Sequence, residues 1–575
     1  MVYRPEFPNP QFRRERWLNL NGTWTFQIDN EDCGAEKRFF ERASFEEKIE
    51  VPFCPESALS GVGHTDFIRA CWYAREFDVP KEALTGRVML CFGAVDYEAT
   101  VYVNAKKVDT HRGGYTPFRL DITDCVAAGK NVLVVRARDD VRDPLIPSGK
   151  QSEALRSHGC SYTRTTGIWQ TVWLEFVPRA YIKNFRFAPD IHNGQVVLTA
   201  EVCGAGTLGA EVTYKGKKMA NGSVFTQGNA VNVLLPLAEL HLWEVGRGRL
   251  YDVVLTFGED RVFTYFGMRE VRAEGRCILL NDKPVFQRLV LDQGYYPEGV
   301  YTAPDEAALA RDIQLSLAAG FNGARLHQKV FEPLFLYHAD RLGYLCWGEY
   351  PSWGLDHSDY RAFYAFYPEW KEEIERDFNH PAIVGWCPFN ETWDQNGRPQ
   401  RNELLRAAYD MTKALDPTRP VIDTSGNYHV ATDIYDVHNY AQDPALFRDF
   451  AAKLEAGELW DPNPRRRQPL VWDGEQPVFM SEYGGIRWSN GDGWGYGEAP
   501  ATEREFKERY KGLTDALLDC PRLCAFCYTQ LYDIEQEQNG LYTYDRAPKF
   551  DMAFFREVNT RPASIERAVP AADQQ

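Results

Sequence analysis

Two glutamates stand where a hydrolytic reaction could use them. Residues 382–389, Ala-Ile-Val-Gly-Trp-Cys-Pro-Phe, form a short apolar run that ends abruptly in Asn390-Glu391. A second run, Pro477-Val478-Phe479-Met480, ends in Ser481-Glu482-Tyr483-Gly484-Gly485. Apolar runs of this length read as strands buried on both faces, as in a parallel sheet. His380-Pro381 marks the start of the first, because the residue before proline is biased out of the helical region. A carboxylate at the C-terminal end of a barrel strand sits where such folds keep their chemistry. Two of them facing each other across a barrel mouth are the equipment for cleaving a glycosidic bond. A single glutamate here would more simply be a surface carboxylate at a strand end. The pair, each flanked by aromatic residues, favours catalysis.

The elements that must position them begin after residue 272, where strands alternate with helices. Eight runs read as strands: 285–292, 323–327, 344–349, 382–391, 421–425, 434–440, 478–482 and 523–528. Between them, helices are expected over 333–342, stopped by Gly343, and over 368–378, 402–415 and 502–518. A further helix follows Thr302-Ala303-Pro304-Asp305, a capping-box pattern with proline in the first turn, and presents Leu309, Ile313 and Leu317 on one face. Eight strands with helical crossovers predict a C-terminal (β/α)8 TIM barrel over 273–575. Glu391 then ends the fourth strand and Glu482 the seventh.

Upstream the texture is all-β. Residues 1–180 carry short alternating runs separated by turn residues such as Asn21-Gly22, the pattern of a jelly-roll β-sandwich. Residues 181–272 form a smaller unit of the size of an immunoglobulin-like β-sandwich, without the cysteine pair of antibody domains.

A net charge of −17 argues against nucleic acid or an anionic membrane as partner. The sequence has no apolar leader and no run long enough to span a bilayer. Its 13 cysteines are an odd, scattered set, read as reduced thiols in a cytoplasmic protein rather than disulfides or a zinc site. Aromatic residues make up 14% of the chain, enough to furnish both cores and sugar-stacking faces.

Several motifs occur in a telling order. They are Leu18-Asn19-Leu20-Asn21-Gly22-Thr23-Trp24, Gly167-Ile168-Trp169-Gln170-Thr171-Val172-Trp173-Leu174, Phe266-Gly267-Met268-Arg269 and Phe321-Asn322-Gly323-Ala324-Arg325-Leu326-His327. Asn390-Glu391, Ser481-Glu482-Tyr483-Gly484 and Tyr542-Thr543-Tyr544-Asp545-Arg546 follow. Together they resemble glycoside hydrolase family 2, the β-galactosidase, β-glucuronidase and β-mannosidase group, over nearly the whole chain. The resemblance implies that Glu391 is the general acid/base and Glu482 the nucleophile. It also implies that Asn390 binds the 2-hydroxyl and that Arg325 and Tyr440 hold the nucleophile. Burial and a neighbouring negative charge should raise the pKa of the acid.

Other positions carry weaker expectations. His327 and His438, at strand ends, are candidates for binding sugar hydroxyls, and Asp292 for a hydroxyl or a strand-end cap. Trp347, with Glu349 and Trp353, is expected to shape the pocket wall. Tyr528 takes the eighth-strand place where relatives offer tryptophan to the sugar. Trp488, with Trp494 and Tyr496, belongs to a Gly-rich loop read as a rim of stacking platforms. Lys329 reads as a solvated lysine. The Asn-x-Lys motif by which family β-glucuronidases grip a uronic carboxylate would fall just before Gly540. Here the segment is Glu535-Gln536-Glu537-Gln538-Asn539, acidic and without lysine, which disfavours an anionic sugar.

The sequence therefore predicts a retaining exo-glycosidase acting on a terminal neutral, β-galactoside-like sugar, with no cofactor and no metal. A β-mannoside, a β-glucuronide and a galactofuranoside or arabinofuranoside are the alternatives. The rival from another class is a non-catalytic carbohydrate-binding protein. Homo-oligomerisation is left open.

Overall fold

The computed structural model describes residues 2–395, 397–426, 428–459, 469–489 and 491–567. In the N-terminal region, a six-stranded antiparallel sheet runs in the order Glu47–Val51, Gly22–Ile28, Ala70–Val79, Gly129–Arg138, Glu98–Val103, Lys106–Arg112. It faces a four-stranded sheet made of Trp17–Asn19, Val172–Val177, Arg87–Phe92 and Phe118–Asp121. The period of two decides which side chains meet: Val88, Leu90 and Phe92 from one sheet pack with Val101, Val103, Leu133 and Val135 from the other. A second sandwich stacks a three-stranded sheet (Tyr181–Asp190, Gln195–Cys203, Asn229–Pro236) on a four-stranded one (Lys217–Thr226, Gly206–Tyr214, Tyr251–Phe257, Asp260–Phe266).

The rest is a parallel barrel. Its strands are β1 (Gln287–Asp292), β2 (Gly323–Leu326), β3 (Leu345–Glu349), β4 (Ile383–Cys387), β5 (Thr424–Ser425), β6 (Tyr435–Asn439), β7 (Val478–Gly484) and β8 (Leu523–Thr529). Seven of them hydrogen-bond in the order β4-β3-β2-β1-β8-β7-β6. The remaining gap is spanned by β5, which pairs in parallel with Phe389–Asn390, the continuation of β4. On its other side the Ser425 hydroxyl donates to Asp436 of β6 at 2.6 Å. The expected 421–425 strand is thus only two residues long. All seven paired strands are buried along their length, and β4, β7 and β8 accordingly read as largely apolar runs.

Helices α1 (Glu306–Ala318), α2 (Pro333–Leu342), α3 (Phe363–Asp377), α4 (Asn402–Leu415), α5 (Pro444–Glu455), α6 (Glu503–Asp519) and α7 (Met552–Asn559) surround the barrel. The α1 cap is Asp305, whose side chain accepts from the Ala308 amide at 2.8 Å. Thr302, the expected cap, donates instead to the Trp169 carbonyl of the first sandwich at 2.6 Å. Gly343 ends α2 with a φ of +68°. Helix α3 starts five residues before the expected Pro368, which lies inside it.

Buried ion pairs join the parts. Arg14 donates to Asp260 at 2.9 Å and to Glu175 at 2.6 Å, one from each sandwich. Arg4 reaches Glu332 beside α2 at 2.7 Å. Residues 139–166 leave the first sandwich and lie against the barrel, where the Ser148 and Gly149 amides donate to the Trp353 carbonyl at 2.8 and 3.1 Å. All 13 cysteines are free. Cys524 and Cys527 do have C-x-x-C spacing, but inside β8, where residues three apart point to opposite faces.

Candidate active site

Asn390 ends the β4 extension, and the chain turns sharply at Glu391, which has a φ of +46°. A non-glycine residue held in the left-handed region costs of order 1–3 kcal/mol, and such strain collects at functional sites. The turn is held by the Glu391 amide, which donates to the Ser425 carbonyl at 2.7 Å. Glu482 lies near the end of β7. A carboxylate oxygen of Glu391, one of Glu482 and a ring nitrogen of His438 all lie within 4.8 Å of one another. Retaining hydrolases hold their carboxyls about 5–5.5 Å apart, against about 6.5–9.5 Å for inverting ones.

Glu482 is gripped from two sides. Arg325 of β2 donates to its carboxylate at 3.1 Å and to the Ser481 carbonyl at 2.9 Å. The other guanidinium nitrogen donates to Glu349 at 2.7 Å and to the Asn390 side-chain oxygen at 3.1 Å. The Tyr440 hydroxyl donates to the second Glu482 oxygen. Tyr440 is held flat against Tyr496, with ring centroids 3.5 Å apart. Burial and the Glu391 charge push the Glu482 pKa up, but His438 and Arg325 outweigh them and keep it below the ordinary glutamate value. Glu482 is therefore an anion over the neutral range.

Glu391 departs from expectation. Burial does oppose its charge, yet the hydrogen bond from His438 and the positive charges of His438 and Lys150 lower its pKa to about 2. The Nδ1 of His438 lies 2.7 Å from Glu391 and 3.4 Å from Glu482, so this histidine sits between the acids rather than on a sugar-binding wall. His327 is likewise turned inward, its Nδ1 2.8 Å from fully buried Glu349.

Four other expected site residues lie elsewhere. Trp347 is inside the barrel, its ring against Phe479 and the Gly385 backbone, its indole nitrogen donating to Gln287 at 2.8 Å. Tyr528 points out toward the helices, packed on Tyr483 and on Tyr510 of α6. Its neighbour Thr529 faces inward and lies 3.1 Å from the Tyr440 hydroxyl. A shift of one residue reverses the face in a strand. Trp488 packs on Phe506 and Phe550 beneath the rim. Asp292 accepts from the Gly294 amide at 3.0 Å and from the Tyr532 hydroxyl, a strand-end cap that burial pushes up to about 6. Lys329 is buried, not solvated. It donates to the Gly294 and Tyr301 carbonyls, and burial lowers its pKa to about 7.

Some polar residues near the acids had not been expected. Lys150, from the first sandwich, is 6% exposed, with its ammonium 3.8 Å from the Trp353 ring centroid. Trp353 in turn donates to the Asn390 carbonyl at 3.0 Å. The positive charge of Lys150 acts on Glu391 and on Glu537. Glu537 is buried, accepts from Tyr162 of the first sandwich and from Asn539 at 3.0 Å, and closes a ring of hydrogen bonds through Gln530 and Gln293. The signal for this group was the length of 139–166, since structureless loops beyond about 12–15 residues are usually functional. Elsewhere His192, Glu270 and Asp282 cluster at the surface, but Arg272 bonds both carboxylates and supplies their countercharge.

Comparison with known proteins decides the family. Residues 64–152 match the sugar-binding domain of the glycosyl hydrolases family 2, 180–269 match the glycosyl hydrolases family 2 model that follows it, and 299–512 match the TIM-barrel domain of that family. The chain belongs to glycosyl hydrolase family 2. It is a glycoside hydrolase with the sandwich, immunoglobulin-like and barrel parts of that family. A β-glucuronidase of Streptococcus agalactiae is 24% identical, the match covering 81% of this chain and 82% of that protein. A β-galactosidase of Thermoanaerobacter pseudethanolicus is 25% identical over 78% of this chain and 60% of its own. The structure of a Ruminococcus gnavus β-glucuronidase in complex with D-glucuronic acid superposes with a TM-score of 0.79 at 20% identity, covering 97% of this chain and all of that one. Among the described residues, no helix is long and apolar enough to cross a membrane.

Proposed function

We propose that this hydrolase cleaves a terminal β-glycoside with retention, through a glycosyl-enzyme intermediate on Glu482. The observation that carries the proposal is the approach of one Glu391 oxygen and one Glu482 oxygen to within 4.8 Å, which supports the close carboxyl pair of a retaining enzyme. Glu482, an anion held by Arg325 and Tyr440, attacks the anomeric carbon. Glu391 protonates the leaving oxygen and later takes a proton from water. Asn390 gives its side-chain oxygen to Arg325, which leaves its amide NH2 for the sugar 2-hydroxyl.

For the sugar, the relatives support a β-glucuronide above the neutral β-galactoside that the sequence favoured. Lys150 gives that reading a physical basis: a nearly buried cation close to both acids can hold a carboxylate that the missing Asn-x-Lys lysine cannot. A neutral hexoside is the second reading, because Glu537 and Asn539 stand just before Gly540, and a buried carboxylate accepts sugar hydroxyls but repels a uronate. The 13 free thiols support a reducing, cytoplasmic setting.

A panel of nitrophenyl β-glycosides separates the readings. Fastest turnover on the glucuronide is expected; fastest turnover on the galactoside favours the second reading, and none on any sugar overturns the proposal. On the best substrate, Glu482→Gln should lower kcat by roughly a thousandfold or more, because it removes the nucleophile itself.

A further inference from the structure

The barrel holds a polar chain behind the two acids that hydrolysis by a carboxylate pair does not require. The Nε2 of His438 lies 3.0 Å from the Ser425 hydroxyl. That hydroxyl lies 2.6 Å from Asp436, which also accepts from Ser481 and from the Gly426 amide at 3.2 Å. His429, 3.2 Å from the other Asp436 oxygen, is itself bonded to Asp423 at 2.7 Å. All six side chains are buried. Hydrogen-bond accounting then assigns the protons. The shortest Ser425 contact is to the Asp436 carboxylate, so its single proton goes there and its oxygen accepts from His438 Nε2–H. The other ring nitrogen faces the Glu391 carboxylate at 2.7 Å, so one proton lies between them.

We infer that His438 is the proton store of the acid/base: it holds the proton of the Glu391–His438 pair at rest and hands it to Glu391 as the glycosidic bond breaks. The inference rests on the roles proposed for Glu391 and Glu482. In the first half-reaction the proton passes from His438 Nδ1 to the Glu391 carboxylate, and the leaving oxygen takes it as the C–O bond breaks and the Glu482 ester forms. This leaves neutral His438 and anionic Glu391. In the second, Glu391 takes a proton from the attacking water and returns it to His438, while the Glu482 ester is cleaved and its carboxylate restored. No other donor is needed. The timing follows from charge. Glu482 lies 3.4 Å from His438 and loses its negative charge on forming the ester, which weakens the hold on the imidazolium at the moment the proton is wanted.

The groups facing His438 come from every wall: Glu391 at the end of β4, Glu482 on β7, Arg325 on β2, and Asp436 of its own strand through Ser425 of β5. Burial and Arg325 disfavour its charge, and the two glutamates outweigh them, so the His438 pKa is raised. His438 is thus a positioning residue that acts through Glu391.

The test is the pH profile of His438→Asn, which keeps an N–H near the Nδ1 place but cannot carry the proton. On the best nitrophenyl glycoside of the panel and its methyl counterpart, the basic limb of kcat/KM should move acidward by at least one pH unit. Turnover of the methyl glycoside at pH 7 should fall at least tenfold more than that of the nitrophenyl one. An unmoved limb, or equal losses on both substrates, overturns the inference. Ser425→Ala, which removes the Nε2–H acceptor, should move the limb the same way, and decides the matter if His438→Asn does not fold. Glu482→Gln keeps the two proposals apart: turnover lost there with an unmoved His438→Asn limb sinks only the proton store.

Discussion

At the residue scale, the proposed preference for a uronic sugar rests on one cation, Lys150, from the segment that leaves the first sandwich. Lys150 is nearly buried, has an aromatic face beneath it, and among the described residues makes no ion pair. A charge-assisted bond to a substrate carboxylate is worth about 1.5–3 kcal/mol, or roughly ten- to a hundredfold. Lys150→Ala should therefore lower kcat/KM on a β-glucuronide by that factor while changing a neutral β-glycoside by less than about threefold. Equal losses on the two substrates would remove Lys150 from the recognition of the carboxylate. The two glutamates and Asn390 were legible in the sequence because they end apolar runs, whereas Arg325 and Tyr440 came only from the family resemblance. Lys150 was not, because a lysine in a long loop looks the same whether it points to water or to a ligand.

His429 shows how such a chain shapes stability. Burial opposes its charge, but Asp423 and Asp436 outweigh it and raise the pKa to about 10. Its pKa lies above the unfolded value of about 6.5, so its contribution is full below about pH 6.5 and declines up to about pH 10, where it is lost. Urea unfolding of wild type and His429→Asn should show a stability difference that is largest at pH 6 and shrinks steadily toward pH 10. A difference constant over that range would mean that the ring is neutral in the folded protein.

At the scale of elements, the apolar runs gave the strands away, but not their phase. A strand with one wet face alternates, and the alternation tells inside from outside. Strands buried on both faces do not alternate, so nothing in the β8 sequence distinguishes Tyr528 from Thr529. The structure turns Tyr528 into the layer under α6. Tyr528→Phe should then leave kcat/KM unchanged and lower stability by no more than about 1 kcal/mol, the net worth of one hydrogen bond. A large loss of affinity for substrate would return the residue to the site. The same loss of phase placed Trp347 on the pocket wall instead of inside the barrel.

At the scale of the whole molecule, the two sandwiches on either side of the boundary proposed at 180 meet around one guanidinium. Arg14, buried, bonds Glu175 of the first sandwich and Asp260 of the second, and the Ile182 carbonyl between them at 2.7 Å. Breaking a buried ion pair from one side costs about 3–5 kcal/mol, because the partner charges stay buried. Arg14→Ala should lower the thermal midpoint by several degrees, with kcat little changed in the cold, where the fold persists. A midpoint within one degree of wild type would show the joint to be unimportant. The segment leaving the first sandwich also reaches the barrel, with Lys150 over Trp353 and Tyr162 donating to Glu537.

Local pattern by itself determined three things: the order of strands and helices, the family resemblance, and the two acids that close their strands. Those are properties of short stretches, where hydrophobic period, proline and glycine speak directly. Which faces of the strands turn inward, that a histidine stands between the acids and lowers rather than raises the Glu391 pKa, and that a lysine 241 positions before Glu391 reaches the mouth were decided only by the tertiary structure. Each depends on distances between residues far apart in the chain, and electrostatics at a few ångströms is set by those distances, not by the residues' place in line.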